Sequence, residues 1–140
     1  MAENTSLESL FLNDPTAQKL YKHIKEEGRK KFWIQGLSGS RDSFLLFSSL
    51  RQFKCTHLVI ANDKEEAAYY LNDLEQMIGE EDVLFYPGSY RRPYQIEDTD
   101  NANVLLRAEV LNRINSRKKP AIIVTYPEAL FEKVVTRKEL

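Results

Sequence analysis

The chain has 140 residues, which is enough for one domain with a hydrophobic core. Its 20 basic residues nearly balance its 21 acidic ones, and the net charge of -1 excludes a protein that binds nucleic acid through overall charge. The single cysteine excludes a disulfide within the chain. Since we find neither a signal-peptide pattern nor an apolar stretch of membrane-spanning length, we expect a cytoplasmic protein without membrane contact.

Two helix-start signals mark the first part of the chain. The run Thr5-Ser6-Leu7-Glu8 has the spacing of a capping box, in which side chains satisfy backbone N–H groups at a helix start. Asp14 followed by Pro15 is typical of an N-cap and a first helical position, which predicts a second helix. We therefore predict an N-terminal helical segment over residues 1–30.

Residues 31–140 alternate short β-branched or aromatic runs with helical patterns, which predicts an α/β domain. The expected fold is a parallel sheet with helices on both faces, because crossovers between parallel strands usually carry a helix. Four strands are predicted, near 31–35, 56–61, 82–86 and 120–125. The charged residues 136–140 carry no helix-ending signal, so we expect a domain truncated at its C-terminus and a longer parent protein.

Apolar periodicity predicts which side chains face the sheet. The helix that begins at Asn62 or Asp63 and ends at Gly79 has these inward residues: Ala67, Leu71, Leu74 and Ile78. In the helix before the fourth strand, the inward residues are Leu105, Ala108 and Leu111, with Val104 as a further candidate. Trp33, in the first predicted strand, is most simply a core residue.

A degenerate phosphate-binding motif follows the first predicted strand. A P-loop reads G-x-x-x-x-G-K-[ST]: its backbone N–H groups and lysine bind phosphates, and its last hydroxyl binds magnesium. The corresponding residues here are Gly36, Leu37, Ser38, Gly39, Ser40, Arg41, Asp42 and Ser43. Gly36 and Ser43 match the motif. Arg41 stands at the second glycine and Asp42 at the lysine.

Both departures oppose phosphate binding. A side chain at the second glycine obstructs the backbone N–H groups that close around phosphate. A carboxylate at the lysine position repels the β- and γ-phosphates, and each such pair at about 4 Å costs roughly 4 kcal/mol at an effective dielectric of about 20. The spacing leaves two interpretations open, a serine-rich turn that caps a helix and a P-loop that has decayed. From the two departures we predict no catalytic residue and no bound cofactor in this chain. We also predict no metal site, because His23 and His57 are far apart in the sequence and lack other candidate ligands.

Four further runs follow the degenerate loop in order. They are Leu58–Ala67, Val83–Gly88, Leu105–Leu111 and Ile122–Leu130. Together with Gly36–Ser40, this ordered set resembles the N-terminal module of the bacterial transcription-repair coupling factors (Mfd). That module is itself similar to the first domain of the excision-repair protein UvrB. The resemblance extends from Ile34 to Phe131, and the missing lysine and second glycine suit the degenerate module of the coupling factors.

The resemblance implies a P-loop-NTPase/UvrB-like partial domain that acts as a scaffold and interaction segment. The whole coupling factor is an ATP-dependent DNA translocase that displaces stalled RNA polymerase and recruits UvrA for nucleotide excision repair. ATP and magnesium then belong to motor domains of the parent protein, which also contact DNA. The implied partners are therefore UvrA, RNA polymerase and DNA through the parent protein, and other domains of the same chain.

The one long predicted loop, 89–101, carries the residues that could bind nucleic acid or a partner: Tyr90, Arg91, Arg92 and Tyr94. Aromatic rings can stack on bases while arginines contact phosphates. In the alternative interpretation, which we favour because nearby acids cancel the charge, the loop folds on the sheet edge and its arginines are solvated or paired with Glu97, Asp98 and Asp100.

Two other functions are alternatives to a scaffold and interaction segment. The first is the N-terminal part of an active UvrB-like helicase or ATPase, which Asp42 opposes. The second is a flavodoxin-like binding domain, which would hold its ligand at the carboxyl ends of the strands. A cofactor visible by absorbance would identify that class.

Overall fold

The computed structural model of the chain describes residues 7–89 and 100–134. The chain divides into two compact units, Met1–Lys54 and Cys55–Leu140. The first unit contains the helices α1 (Leu7–Leu12), α2 (Pro15–Lys25) and α3 (Arg41–Gln52). The second contains, in chain order, β1 (His57–Ile60), α4 (Lys64–Ile78), β2 (Val83–Tyr86), α5 (Asn101–Ser116), β3 (Ile122–Thr125) and α6 (Pro127–Phe131).

Aromatic contacts hold the three helices of the first unit together. The rings of Phe11 on α1 and Phe44 on α3 stack with their centroids 4.7 Å apart. Tyr21 on α2 is 1% exposed, and its hydroxyl forms a hydrogen bond with the hydroxyl of Ser48 on α3. The carboxylate of Asp14 accepts a backbone N–H three residues later at 2.8 Å, which confirms the predicted start of α2.

The segment 31–35, predicted as the first strand, is irregular backbone in which every residue is exposed. Trp33, predicted to lie in the core, is 86% exposed. The four-strand prediction is therefore wrong at this position, and the described part of the chain contains three strands. The physical reason is that aromatic and β-branched residues favour a strand only where a neighbouring strand supplies backbone partners, which local composition does not reveal.

The second unit is built on a parallel sheet with the strand order β1-β3-β2. His57 of β1 and Val83 of β2 both lie beside Ile122 of the central strand β3. α4 connects β1 to β2 and α5 connects β2 to β3, so each crossover carries a helix, as predicted. These features confirm the mixed α/β class, the parallel sheet and the strands predicted near 56–61, 82–86 and 120–125.

The core of the second unit lies on both sides of β3. All four residues of this strand are buried, with exposures of 0–3%. Since successive side chains of a strand point to opposite faces, both faces of β3 are covered. α4 contributes Ala67 and Leu74, both 0% exposed, and it runs from an Asp63 N-cap to a Gly79 C-cap with φ +100°, as predicted.

The inward face of α5 differs from the predicted one. Leu105 is 71% exposed and Val104 43% exposed, whereas Arg107 and Val110 are buried. The helix therefore presents an arginine to the interior where the apolar pattern predicted a leucine. The buried face of α5 is thus rotated about the helix axis from the predicted face, and it places Arg107 against the carboxyl end of β2. None of the helices in the described part of the chain combines the length and apolar character that crossing a bilayer requires.

Candidate functional site

Residues 36–40 of the degenerate motif join an irregular segment to α3, and its last three residues, 41–43, are the first of that helix. Gly36 and Gly39 adopt the left-handed backbone conformation, with φ of +81° and +60°. L-residues rarely adopt this conformation, so the two glycines are needed for the path of this turn. The prediction that a helix follows the turn is confirmed, since α3 begins at Arg41. The prediction that a strand precedes it is wrong, because 31–35 has no strand partner.

Asp42, at the position of the P-loop lysine, lies in the first turn of α3. Its Oδ1 accepts the backbone N–H of Ser43 at 2.8 Å. A carboxylate at this end of a helix interacts favourably with the helix dipole. The carboxylate thus occupies the end of the helix where a P-loop would hold phosphate. Ser43, at the position of the magnesium-binding hydroxyl, is 1% exposed and therefore enclosed by the protein.

A cavity of about 850 Å³ lies beside the first part of this turn, within the first unit. Aromatic and aliphatic side chains dominate its wall, among them Phe11, Leu20, Phe32, Trp33, Leu37 and Leu45. Its charged lining residues are Asp14 and Arg41, one of each sign. A triphosphate needs several aligned donors and cations. The chemistry of this cavity therefore does not suit the phosphates of a nucleotide.

The remaining predicted site residues lie outside the described residues. They are Tyr90, Arg91, Arg92 and Tyr94. The structure describes the two ends of this loop, where the backbone N–H of Asp100 donates to the carbonyl of Ser89 at 2.8 Å. The two described ends, Ser89 and Asp100, therefore lie together just beyond the carboxyl end of β2.

A buried polar cluster that the sequence did not reveal lies at this point. We call it the Arg107–Glu132 cluster, and it consists of Gly88, Ser89, Arg107 and Glu132. Arg107 Nη1 donates to the carbonyl of Pro87 at 2.8 Å and to that of Ala129 at 3.0 Å. The arginine therefore joins the end of β2 to α6.

Glu132 is the counter-charge of Arg107. Its Oε2 lies 3.5 Å from Arg107 Nη1, and the two side chains are 7% and 15% exposed. Ser89 donates its backbone N–H to both carboxylate oxygens, at 2.9 Å and 2.8 Å, and its hydroxyl to Oε2. A buried arginine is tolerated only when it is paired and hydrogen-bonded, and these contacts meet that condition through Nη1.

Neighbouring residues fix the backbone of the cluster. The N–H of Gly88 donates to the hydroxyl of Tyr126 at 2.9 Å, and Asn103 Nδ2 donates to the carbonyl of Gly88 at 2.9 Å. The guanidinium carbon of Arg107 lies 4.2 Å from the ring centroid of Tyr86, in a cation–π contact. Burial raises the pKa of the Tyr86 hydroxyl, and the positive charge of Arg107 opposes that rise.

One donor of the cluster has no hydrogen-bond partner among the described residues. Arg107 Nη2 is enclosed by the protein, and Nη1 makes both of the arginine's hydrogen bonds. An unpaired buried N–H group is costly, and such groups are rare in folded proteins. The cluster thus arranges a buried positive charge and the donors of Ser89 around the carboxylate of Glu132, which is the chemistry of a site that holds an oxyanion.

Sequence reasoning missed this cluster because its members are distant along the chain. Ser89 and Glu132 are 43 positions apart. The available signal was the spacing of Asn103, Arg107 and Val110, which places polar residues on the same helical face as a buried valine. Comparisons of the chain with protein-family models, with curated proteins and with solved structures find no match.

Proposed function

We propose that the chain is the N-terminal scaffold and interaction segment of a transcription-repair coupling factor, and that it does not hydrolyse ATP itself. The observation that supports this proposal best is the position of Asp42. Its carboxylate lies in the first turn of α3 and accepts the N–H of Ser43, where an active P-loop has its lysine and binds phosphate. ATP binding would have to displace or overcome this negative charge.

The environment of the turn supports the same conclusion. Ser43 is enclosed, so its hydroxyl could reach a magnesium ion only after the start of α3 rearranged. The adjacent cavity is mainly apolar, and its lining contains one positively charged residue, Arg41, and one negatively charged residue, Asp14. The parallel sheet of the second unit is consistent with the UvrB-like partial domain that this proposal includes. UvrA, RNA polymerase and DNA are its proposed partners through the parent protein.

The full-length product of the gene tests the proposal directly. We expect it to displace stalled RNA polymerase from DNA in an ATP-dependent gel-shift assay. Asp42→Ala in that protein should leave the rate of ATP hydrolysis unchanged, because the motor domains lie elsewhere. Asp63→Ala is the matched control, since Asp63 is the N-cap aspartate of another helix and has no place in the degenerate motif. A change in the rate of hydrolysis in Asp42→Ala alone would favour the rival interpretation, an active UvrB-like ATPase that uses this loop.

The degenerate turn makes a second prediction about the isolated chain. Asp42→Lys alone should lower the free energy of unfolding by about 0.3–1 kcal/mol, because it replaces a favourable charge at a helix N-terminus with an unfavourable one. Arg41→Gly together with Asp42→Lys should restore weak phosphate affinity, because both the open backbone and the positive charge return. The measurement is thermal melting with and without millimolar ATP and magnesium.

The original chain is the control, and its melting temperature should not respond to ATP. The double variant should melt at a higher temperature when ATP and magnesium are present. A folded double variant without that response would show that the turn is a helix-capping turn and not a decayed P-loop.

A further inference from the structure

We propose that Ser89 and Arg107 form a phosphate-binding site, which the carboxylate of Glu132 occupies in the present conformation. The site would bind a phosphate group when the side chain of Glu132 is withdrawn. It lies at the carboxyl end of β2 in the second unit and is separate from the degenerate motif at 36–43. The inference therefore does not depend on the proposed function.

The donors of this site are already arranged around an anion. The backbone N–H of Ser89 donates to both carboxylate oxygens of Glu132, at 2.9 and 2.8 Å, and the Ser89 hydroxyl donates to Oε2. Arg107 Nη1 lies 3.5 Å from the same Oε2. The side chain of Arg107 is 7% exposed, so its charge is poorly solvated and needs an anion nearby. Donors and charge are thus held in place by the fold before any external ligand arrives.

The unpartnered nitrogen of Arg107 favours phosphate over a carboxylate. The two oxygens of Glu132 are both used by Ser89, and Nη2 of Arg107 has no hydrogen-bond partner among the described residues. A phosphate is tetrahedral and has more oxygens than the two of a carboxylate. It could therefore accept from Ser89 and from the guanidinium together, and arginine binds phosphate well because its donors form a planar fork.

The backbone at this site also allows an anion to approach closely. A Cβ on Gly88 would lie 2.9 Å from Oε1 of Glu132, closer than side-chain carbons pack. A side chain at this position would therefore make the carboxylate of Glu132 shift from its present place beside Ser89. The site lies at the carboxyl ends of parallel strands, the edge at which α/β sheets bind their ligands.

Glu132 should exclude phosphate from the original chain. A group tethered to the same chain competes at a high effective concentration, and its negative charge repels a second anion. Glu132→Ala removes the competing carboxylate, leaves space at the site and leaves Arg107 without its counter-charge. Phosphate should then bind and stabilise the folded chain, because a ligand that binds only the folded state raises its stability.

The experiment compares melting temperatures of the original chain, Glu132→Ala and Glu128→Ala at constant ionic strength. Glu128 lies on α6, is exposed and serves as the matched control. We expect about 10 mM inorganic phosphate to raise the melting temperature of Glu132→Ala by several degrees. The other two chains show the general effect of phosphate as a stabilising salt, which should be much smaller. Methyl phosphate as the probe distinguishes a phosphate ester from the free ion, and acetate tests a carboxylate.

Further results decide the proposal. Adding Arg107→Met to Glu132→Ala should abolish the response to phosphate. Equal shifts in all three chains, or an equal response to acetate, would overturn the phosphate site. If Glu132→Ala is unfolded without phosphate, circular dichroism at rising phosphate concentration replaces melting. Recovery of the folded signal supports the proposal, and no recovery rejects it.

Discussion

Replacing Arg107 with methionine should lower the free energy of unfolding by about 3–5 kcal/mol, which is the usual loss when one partner of a buried ion pair is removed. The methionine fills similar space but provides no donor. Glu132, which is 15% exposed, would lose the guanidinium that is its counter-charge. The carbonyls of Pro87 and Ala129 would lose the donor that they share. The measurement is urea denaturation followed by circular dichroism.

Arg113→Met is the matched control for this prediction. Arg113 also lies on α5, but its side chain is 21% exposed and its charge lies 3.8 Å from Asp82. Such partly exposed ion pairs contribute about 0–1 kcal/mol, and the hydrogen bond from Arg113 Nη2 to the carbonyl of Glu81 contributes about 1 kcal/mol, so a smaller loss is expected than at Arg107. The double variant Arg107→Met, Glu132→Met should recover part of the loss, because no buried charge is then left unpaired. Equal losses for Arg107→Met and Arg113→Met would show that the cluster does not stabilise the fold.

The features that the sequence predicted correctly depend on residues close together in the chain. Asp14 and Asp63 each accept a backbone N–H three residues later, so the N-cap pattern alone was sufficient. Gly79 ends α4 for an equally local reason, because it adopts a φ of +100°. The three strands of the sheet were predicted from apolar runs bounded by turn signals. The structure confirms them, because β1 and β2 both pair with β3.

The features that the sequence did not predict depend on contacts between distant residues. The run 31–35 has strand-forming side chains, but a strand also needs backbone partners, and composition carries no information about them. Arg107 lies 20 positions from the carbonyl of Pro87, to which it donates. A prediction from apolar periodicity assumes that arginine faces solvent. Because Arg107 is buried, the face of α5 that was predicted to point inward differs from the buried face in the structure.

Leu74→Ala should lower the free energy of unfolding by about 2–5 kcal/mol, whereas Leu105→Ala should change it by less than about 0.5 kcal/mol. Apolar periodicity predicts that both leucines face inward, so the sequence pattern alone expects similar losses. In the structure Leu74 is 0% exposed and Leu105 is 71% exposed. Truncating Leu74 loses buried apolar surface and leaves a cavity in the core. Truncating Leu105 removes atoms that water already surrounds.

The pair is well matched, since each leucine lies within a long helix of the second unit and alanine is the best helix former. Differences in helix propensity are therefore small, and the measured difference reports burial. Both variants are compared with the original chain by urea denaturation, with the slope of the transition checked for constancy. A loss at Leu105 as large as that at Leu74 would contradict the rotation of α5, and with it the burial of Arg107 against the end of β2.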